Sequence, residues 1–483
     1  MAAAMQKFKQ AFFGYKEIPF FYSVWYNLVL SVFVYIVWFF DVGVYGIVTL
    51  MVLGSVVLAL CRDLTPIVPY AFLVPLTLSK VYSAAGSWYL FVAGFCLMVA
   101  GATIHIVRFR PLKNFGKIKG FVFAAAIAGL AIALGGIAMK GRAPLPALFV
   151  AALGIVMGAA PFFLSGTMGR DDADRLVKCV MRALMSASLI ALVQMITVLA
   201  RSGDVVATIA SKYDIDTGWG QPNTLANVMM RSVPVAIYWS LSKKKGAYLW
   251  LMVAYVLAVF SVLTSSRSAI LVGGILSLIC IIYYFPKAED KFAWGCMLAM
   301  LVGITCIGLG VVGGDRIKKL FATLERLGTD SNGRFALYRR GLERFKLEPV
   351  FGVGFDYDLG GRTEDYHTTD LTPYWYHNTL IQIVTCMGVF GAVVFAFYFY
   401  WQYRSMFRSK NKGVRALIFT LIFMQGVSML DIFFFTPQDY LIMMMITIAA
   451  VKTLPADKDN SHLIYDLPAL FKGKKQRKGE ESK

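Results

Sequence analysis

Apolar residues along this chain fall in blocks of about twenty, separated by short charged runs. A helix of about that length crosses the hydrocarbon of a bilayer. The pattern therefore predicts an all-α fold, a polytopic transmembrane helix bundle with about fourteen spans. The predicted helices lie near residues 19–40, 42–60, 64–80, 88–107, 120–139, 145–165, 176–200, 223–242, 247–264, 268–285, 292–312, 375–401, 415–434 and 438–453.

The composition and the charged loops indicate the class and the topology. Hydrophobic residues make up 58% of the 483 residues and charged residues 16%, which excludes a soluble globular or disordered protein. The chain has a net charge of +20, and its Lys and Arg residues lie mainly in the loops between apolar blocks. An even number of spans places these basic loops on one side of the membrane. The positive charge is therefore explained by topology, and no nucleic acid partner is expected. Cytoplasmic loops are enriched in Lys and Arg, so we expect both termini to be cytoplasmic. The basic segments are 7–16, 108–119, 243–245, 404–415 and 472–478.

This topology divides the chain into five segments. The first apolar stretch, Pro19 to Phe40, is too long for a signal-peptide core, so we expect a retained helix. The seven cysteines lie in or beside apolar blocks and give no disulfide framework. The segments are an N-terminal bundle (1–200), further spans (201–312), an extracytoplasmic loop (313–373), C-terminal spans (374–453) and a basic cytoplasmic tail (454–483).

The 313–373 loop is long enough to carry function. Residues 313–348 contain nine basic and five acidic residues, whereas 349–373 contain one basic and five acidic. A basic cluster on the outer side suggests an anionic ligand, and a solvated helix face is the ordinary alternative. Helical spacing of apolar residues predicts two amphipathic helices on the outer membrane surface. Their apolar positions are Ile317, Leu320, Phe321, Leu324 and Leu327, then Phe335, Tyr338, Leu342 and Phe345.

Arg267 is the first candidate for binding an anion. The tight connection Thr264-Ser265-Ser266-Arg267 joins two spans on the predicted outer side and puts Arg267 at a helix start. A helix N-terminus offers unpaired N–H groups, and a guanidinium matches phosphate oxygens. The alternative is an interfacial Arg that extends to water.

His377 is the candidate general base. It follows Tyr374-Trp375-Tyr376 at the start of a span, on the same predicted side as Arg267. A neutral imidazole accepts a proton from a hydroxyl near neutral pH. A capping or interfacial histidine is the structural alternative.

Further polar residues lie at the same predicted face. Pro222-Asn223 is typical of a helix start, and Asn223 is also placed to hydrogen-bond a sugar or the backbone. Gly352-Val353-Gly354 allows a sharp turn, and because no strand precedes it a dinucleotide site is rejected. Asp41 and Asp431 are expected at span ends, where either orients a site arginine or faces water.

Four motifs, in order along 218–391, resemble the O-antigen ligase and polymerase superfamily, which includes the lipopolysaccharide ligase and the Wzy-type polymerases. Each motif is short, so the resemblance rests on the order of the motifs, on their spacing and on their common location at the predicted outer face. The last has the ligase-type pattern of a His-Asn pair, nine residues and then Gly-x-x-Gly. The motifs are Gly220-x-Pro222-Asn223-x-Leu225-Ala226; Thr264-Ser265-Ser266-Arg267; Gly333-Arg334 with Pro349 and Gly352-Val353-Gly354; and His377-Asn378 with Gly388-Val389-Phe390-Gly391.

The resemblance implies a GT-C-like fold and an inverting glycan transfer that needs neither metal nor cofactor. The implied donor is a glycan on undecaprenyl diphosphate, and the acceptor is a hydroxyl of a glycan, lipid or protein at the outer leaflet. Membrane lipids are the remaining implied partner. The implied location is the bacterial inner membrane, with the active site facing the periplasm or cell exterior. Whether the chain acts as a ligase or as a polymerase stays open, since both use the same donor.

The resemblance also implies roles for particular residues. Arg267 and Arg334 would hold the diphosphate, His377 would activate the acceptor, and Asn223 and Asn378 would bind substrate. The family's Arg-x-x-x-Leu pattern fits Arg316, which is followed four residues later by Leu320. The residue four positions after Arg334 is Tyr338 instead of Leu. The loop arginine at the diphosphate therefore stays open among Arg316, Arg334, Arg339 and Arg340.

Two other functions compete. Asp356 and Asp358 in the outer loop suggest a metal-dependent oligosaccharyltransferase, although two carboxylates are few ligands for a divalent ion. Arg182 and Arg231 lie within apolar blocks, which is typical of a transporter or flippase. No internal repeat supports the transporter.

Overall fold

The computed structural model describes residues 17–78, 88–109, 117–138, 144–211, 214–242, 244–312, 334–355, 376–431, 433–454 and 464–466. Over these residues the chain is helical apart from turns and one antiparallel pair of three-residue strands, β1 (Lys117–Lys119) and β2 (Ile464–Asp466). The prediction of an all-α fold is confirmed.

The N-terminal part of the chain supplies eight of the described helices. They are α1 (Val24–Phe39), α2 (Gly43–Leu60), α3 (Val68–Leu73), α4 (Trp88–Phe109), α5 (Gly120–Ala138), α6 (Pro144–Thr167), α7 (Ala173–Arg201) and α8 (Val205–Ala210). Short 3-10 turns, Thr65–Ile67 and Val74–Thr77, flank α3. Glycines allow α5 and α6 to pack closely, since a Cβ at Gly129 would lie 2.3 Å from the Gly158 nitrogen.

The C-terminal part carries the candidate motifs. Its described helices are α9 (Pro222–Met230), α10 (Val233–Trp239), α11 (Trp250–Leu263), α12 (Arg267–Tyr284), α13 (Lys291–Val312), α14 (Arg334–Phe345), α15 (Thr379–Arg408), α16 (Lys412–Ser428) and α17 (Pro437–Lys452). Helix α14 coincides with the second amphipathic helix predicted in the loop, and it packs against α15. The first predicted loop helix lies outside the described residues.

Among the described residues, seven helices are long and apolar enough to cross a membrane, and four shorter apolar helical segments accompany them. Their outer faces expose large apolar side chains, such as Trp25 (70% exposed), Leu148 (67%) and Ile307 (69%). Patches of this kind are stable against lipid rather than water. The chain is a multi-pass helical membrane protein, and the predicted number of fourteen spans stays a prediction.

The predicted span 223–242 is two helices rather than one. Helix α9 ends at Met230 and α10 begins at Val233, because Pro234 has no N–H to continue the helical hydrogen bonding. At this break Arg231 is fully buried and pairs with Asp439 at 3.1 Å.

Contacts along α12 fix which helix ends lie together. Tyr283 stacks near Phe419 of α16, whereas Val272 meets Gly426, so α12 and α16 are antiparallel. Gly273 meets Met230 and Tyr284 lies beside Tyr238, so α9 and α10 run parallel to α12. The start of α9, the start of α12 and the end of α16 therefore share one end of the bundle, here called the Asp431 end. The opposite end, at the start of α16, is called the Lys412 end.

Candidate functional site

Asp431 joins residues from three of the four predicted motifs. Its Oδ1 lies 2.9 Å from Nδ1 of His377, and its Oδ2 accepts a hydrogen bond of 3.2 Å from Nδ2 of Asn223. A guanidinium nitrogen of Arg334 lies 3.6 Å from the same Oδ2. These four residues are called the Asp431 cluster. The carboxylate is 6% exposed, so its charge is compensated by these neighbours rather than by bulk water.

Each member of the cluster is placed by a helix end. Pro222 occupies the first position of α9, where its fixed φ favours helix initiation, and Asn223 follows it. Arg334 begins α14, His377 precedes the N-cap of α15, and Asp431 follows the end of α16. The four residues are far apart in sequence and become neighbours because these helix ends meet.

The backbone around His377 is held at several points. His377 has a positive φ of 51°, and its carbonyl accepts a hydrogen bond of 3.2 Å from the Tyr338 hydroxyl. Asn378 caps α15 through Oδ1 and donates from Nδ2 to the Met429 carbonyl at 2.8 Å. Thr379 donates to the Ser428 carbonyl at 2.9 Å. These bonds fix the start of α15 against the end of α16, and therefore the imidazole against Asp431.

The hydroxyl of Tyr338 remains a donor in this environment. Burial raises the pKa of Tyr338, and the nearby Asp431 carboxylate raises it further, while Arg334 acts in the opposite direction. The neutral phenol is therefore favoured and can donate to the His377 carbonyl.

The contact with Asp431 favours one tautomer of a neutral His377 imidazole. An ionised carboxylate only accepts hydrogen bonds, so it selects the tautomer with the proton on Nδ1. The lone pair is then on Nε2. The His377 side chain is 36% exposed, so the ring is reachable from outside the protein.

Arg267 lies at the same end of the bundle as the Asp431 cluster. It is the first residue of α12, and no described residue forms a hydrogen bond or ion pair with its half-buried guanidinium. Val272 and Gly426 mark a level where α12 meets α16. Arg267 lies about 7.5 Å beyond this level along α12, and Asp431 lies five residues beyond it, past the end of α16. The preceding Ser265 has a positive φ of 56°, and Ser266 is fully buried, with no partner for its Oγ among the described residues.

The other predicted loop arginines lie in different surroundings. Arg339 is 84% exposed and pairs with Glu343 one helical turn away. Arg340 is half-buried on α14. Arg316, Asp356 and Asp358 fall outside the described residues. Arg334 contacts Asp431.

The glycine motifs form one joint between the loop and α15. Gly388 has a positive φ of 63° and kinks α15, which frees backbone groups for the segment Pro349–Gly354. Val353 N donates to Thr385 O at 2.9 Å, and Val389 N donates to Pro349 O at 2.8 Å. A Cβ on Gly352 would lie 2.4 Å from the carbonyl carbon of Cys386. The two motifs therefore need glycine because two backbones touch there.

Sequence reasoning found His377, Arg267, Arg334 and Asn223 but left the role of Asp431 open. In the structure Asp431 is buried and lies 3.6 Å from Arg334, one of the arginines predicted for the site. Asn223 and Asn378, predicted as substrate ligands, make hydrogen bonds within the protein. Within the described residues no group of three or more His, Cys, Asp or Glu side chains is arranged to hold a metal.

A comparison with protein families adds to the description of the fold. The fold is that of a multi-pass membrane protein in which a carboxylate, an imidazole and a guanidinium lie together at one end of the bundle. Residues 235–396 match the family model Wzy_C, described as O-antigen ligase. The resemblance to the O-antigen ligase and polymerase superfamily is confirmed over that range, which includes Arg267, Arg334 and His377. None of the curated proteins matches the chain.

The family match and the membrane helices support a membrane function of the O-antigen ligase or polymerase type. The matched range ends before Asp431 and begins after Asn223. The family match therefore does not cover these two members of the cluster, which are joined by a hydrogen bond.

Proposed function

We propose that this chain is a glycan transferase of the outer face of the cytoplasmic membrane. It moves a glycan from undecaprenyl diphosphate to an acceptor hydroxyl, with inversion and without a metal ion or cofactor. The observation that carries the proposal is the Asp431 cluster, in which one buried carboxylate holds His377 and Arg334 together.

In the proposed reaction His377 is the general base. Nε2 takes the proton from the acceptor hydroxyl while its oxygen bonds to the anomeric carbon of the donor. The bond from that carbon to the diphosphate breaks, and the electron pair leaves with the diphosphate. Attack opposite the leaving group inverts the anomeric centre. Asp431 stabilises the imidazolium that forms, as a carboxylate partner does in other His-dependent enzymes.

The arginines act on the leaving group. The departing undecaprenyl diphosphate gains negative charge, so fixed guanidiniums stabilise the transition state more than the ground state. Arg267 forms no hydrogen bond or ion pair with the described residues, and it begins α12. The guanidinium and the unpaired N–H groups of the helix N-terminus are suited to binding a phosphate oxygen. The Arg334 guanidinium lies 3.6 Å from Asp431, and its positive charge would also interact with the diphosphate. Arg316, Arg339 and Arg340 remain further candidates along the loop.

Charge distribution supports an outer location for the cluster. At the Lys412 end the chain carries Lys287, Lys410, Lys412 and Arg415, and Lys and Arg favour the cytoplasmic side. The Asp431 end then faces outward, where lipid-linked glycans of this kind would be used.

The proposal is tested with purified protein in proteoliposomes that contain an undecaprenyl-diphosphate-linked glycan and an acceptor. We expect His377→Ala and Arg267→Ala to lower the rate of undecaprenyl diphosphate release by about 10²–10⁴-fold. Arg62→Ala is the matched control, since Arg62 pairs with Asp171 at 3.8 Å, away from the cluster. Wild-type turnover by both site variants would refute the mechanism.

Removal of divalent ions gives a separate test of metal independence. We expect full transfer activity in excess chelator, because the proposed step uses only His377 and guanidiniums. Loss of activity that returns with added magnesium or manganese would instead favour the Asp356 and Asp358 interpretation.

The acceptor class is tested in a deletion strain. Loss of a polymerase would leave single lipid-linked repeat units, whereas loss of a ligase would leave long lipid-linked chains. Wild-type profiles of lipid-linked glycans would contradict both forms of the proposal.

A further inference from the structure

A polar cavity lies at the Lys412 end, opposite the Asp431 cluster. Its volume is about 1180 Å³, and its walls come from the starts of α7 and α16 and the ends of α10 and α12. Helix α16 has 17 residues, so about 25 Å separates this cavity from Asp431. The cavity is therefore distinct from the proposed transfer site.

The cavity is strongly basic. Seven Lys or Arg side chains and three Asp or Glu side chains line it. Five of the basic residues form no ion pair with any described residue, namely Lys178, Arg182, Lys287, Lys412 and Arg415. Two of the carboxylates are already engaged, because Asp172 caps α7 and Asp174 accepts from Asn411. Unpaired positive charge in a shared concave surface favours an anion.

The rim of the cavity is apolar and continuous with the outer surface of the bundle. Val24 lines the cavity and is 61% exposed, and Tyr283 is 40% exposed. Deeper inside, Tyr284 is 3% exposed, and its hydroxyl has no hydrogen-bond partner among the described residues. A ligand with both a charged head and an apolar tail matches such a surface better than a small soluble anion does.

We propose that this cavity binds the phosphate headgroup of an anionic phospholipid from the cytoplasmic leaflet. Basic pockets between transmembrane helices on the cytoplasmic side are suited to such headgroups. Lys178, Lys412 and Arg415 would contact the phosphate, while the acyl chains would lie along Val24 and the neighbouring apolar surface. The lipid would contact α7, α12 and α16 together. This proposal does not depend on the transfer chemistry.

The test measures thermal unfolding of the purified full chain in a zwitterionic detergent during titration with phosphatidylglycerol. We expect a saturable rise in Tm with phosphatidylglycerol and a much smaller rise with phosphatidylcholine. In Lys178→Gln/Lys412→Gln the half-saturating phosphatidylglycerol concentration should increase by about tenfold or more, since each basic residue contributes to anionic-lipid binding. Both lysines are exposed and without described partners, so the double variant should fold.

Lys291→Gln/Lys346→Gln is the matched control. Both residues are exposed and lie outside the cavity lining, so this variant should titrate as wild type does. Equal rises in Tm with both lipids, or equal half-saturation in the two double variants, would overturn the proposal. A rise with inorganic phosphate alone that matches phosphatidylglycerol at equal concentration would also overturn it, because the ligand would then be a free anion.

Discussion

At the scale of residues, one carboxylate organises the candidate site. Asp431 accepts from Asn223, pairs with Arg334 and holds Nδ1 of His377. In the proposed reaction it sets both the tautomer of the base and the position of an arginine. Removing its charge should affect the transfer rate more strongly than the fold, because Asn378 and Thr379 still bond to backbone carbonyls at the end of α16.

Asp431→Asn should therefore reduce kcat for glycan transfer by about 10²–10⁴-fold, since an amide no longer selects the Nδ1–H tautomer or stabilises an imidazolium. The measurement is the initial rate in proteoliposomes at saturating donor. Asp41→Asn is the matched control, because Asp41 is an exposed carboxylate that follows α1. We expect it to keep wild-type kcat. Equal rates in the two variants would remove Asp431 from the mechanism.

The sequence predicts the residue types of this site better than their arrangement. Arg267 and His377 were identified because charged or titratable groups at span ends are unusual. The partners of Asp431 lie 54 residues away at His377 and 208 residues away at Asn223. No local pattern encodes contacts at such separations. The only local signal for Asp431 is an acidic residue between two apolar spans.

At the scale of elements, the joint between α15 and the loop segment Pro349–Gly354 positions the site. The apolar pattern predicts the span near 375–401 correctly but gives no sign of the kink at Gly388, because no charge interrupts the run. The break within 223–242 is signalled by Pro234, although the apolar residues continue through it. Apolar periodicity therefore predicts where helices lie and misses where they break.

Gly352→Ala should lower both stability and transfer activity. The residue has a positive φ of 73°, and a Cβ would lie 2.4 Å from the Met387 nitrogen. The loop segment would have to leave α15, so we expect Tm to fall by several degrees and the transfer rate by more than about tenfold.

Gly274→Ala is the comparison for this prediction. Gly274 lies inside α12, and nothing lies within 4 Å of a Cβ built there. Because alanine favours a helix, Tm should stay constant or rise slightly. Differential scanning fluorimetry and the transfer assay measure both effects. If Gly352→Ala behaves like Gly274→Ala, the backbone contact does not position the site.

At the scale of the whole molecule, a buried ion pair between Arg231 and Asp439 lies between the two bundle ends. Arg231 is fully buried beside Asp439, and two of its guanidinium nitrogens have no hydrogen-bond partner among the described residues. Charged pairs buried within a membrane protein are typical of transporters. This ion pair is therefore the observation that most favours the transporter or flippase function. Arg182, the other arginine behind that rival, instead donates to the Tyr22 carbonyl and lines the cavity at the Lys412 end.

Asp439→Asn should destabilise the protein by about 3–5 kcal/mol, because Arg231 would then be a buried charge without a counter-charge. The apolar double variant Arg231→Met/Asp439→Leu should recover most of that stability and keep the transfer activity. Thermal unfolding and the proteoliposome assay measure the two properties. Recovery of stability with complete loss of transfer would give the ion pair a functional role and contradict this account.

The most direct measurement is a double-mutant cycle between His377 and Asp431 on the rate of undecaprenyl diphosphate release. If Asp431 acts through the imidazole, His377→Ala and Asp431→Asn should each reduce the rate, and the double variant should be no slower than His377→Ala alone. Independent effects, in which the two reductions multiply, would show that the two residues do not work together. An unchanged rate in His377→Ala would contradict the site itself.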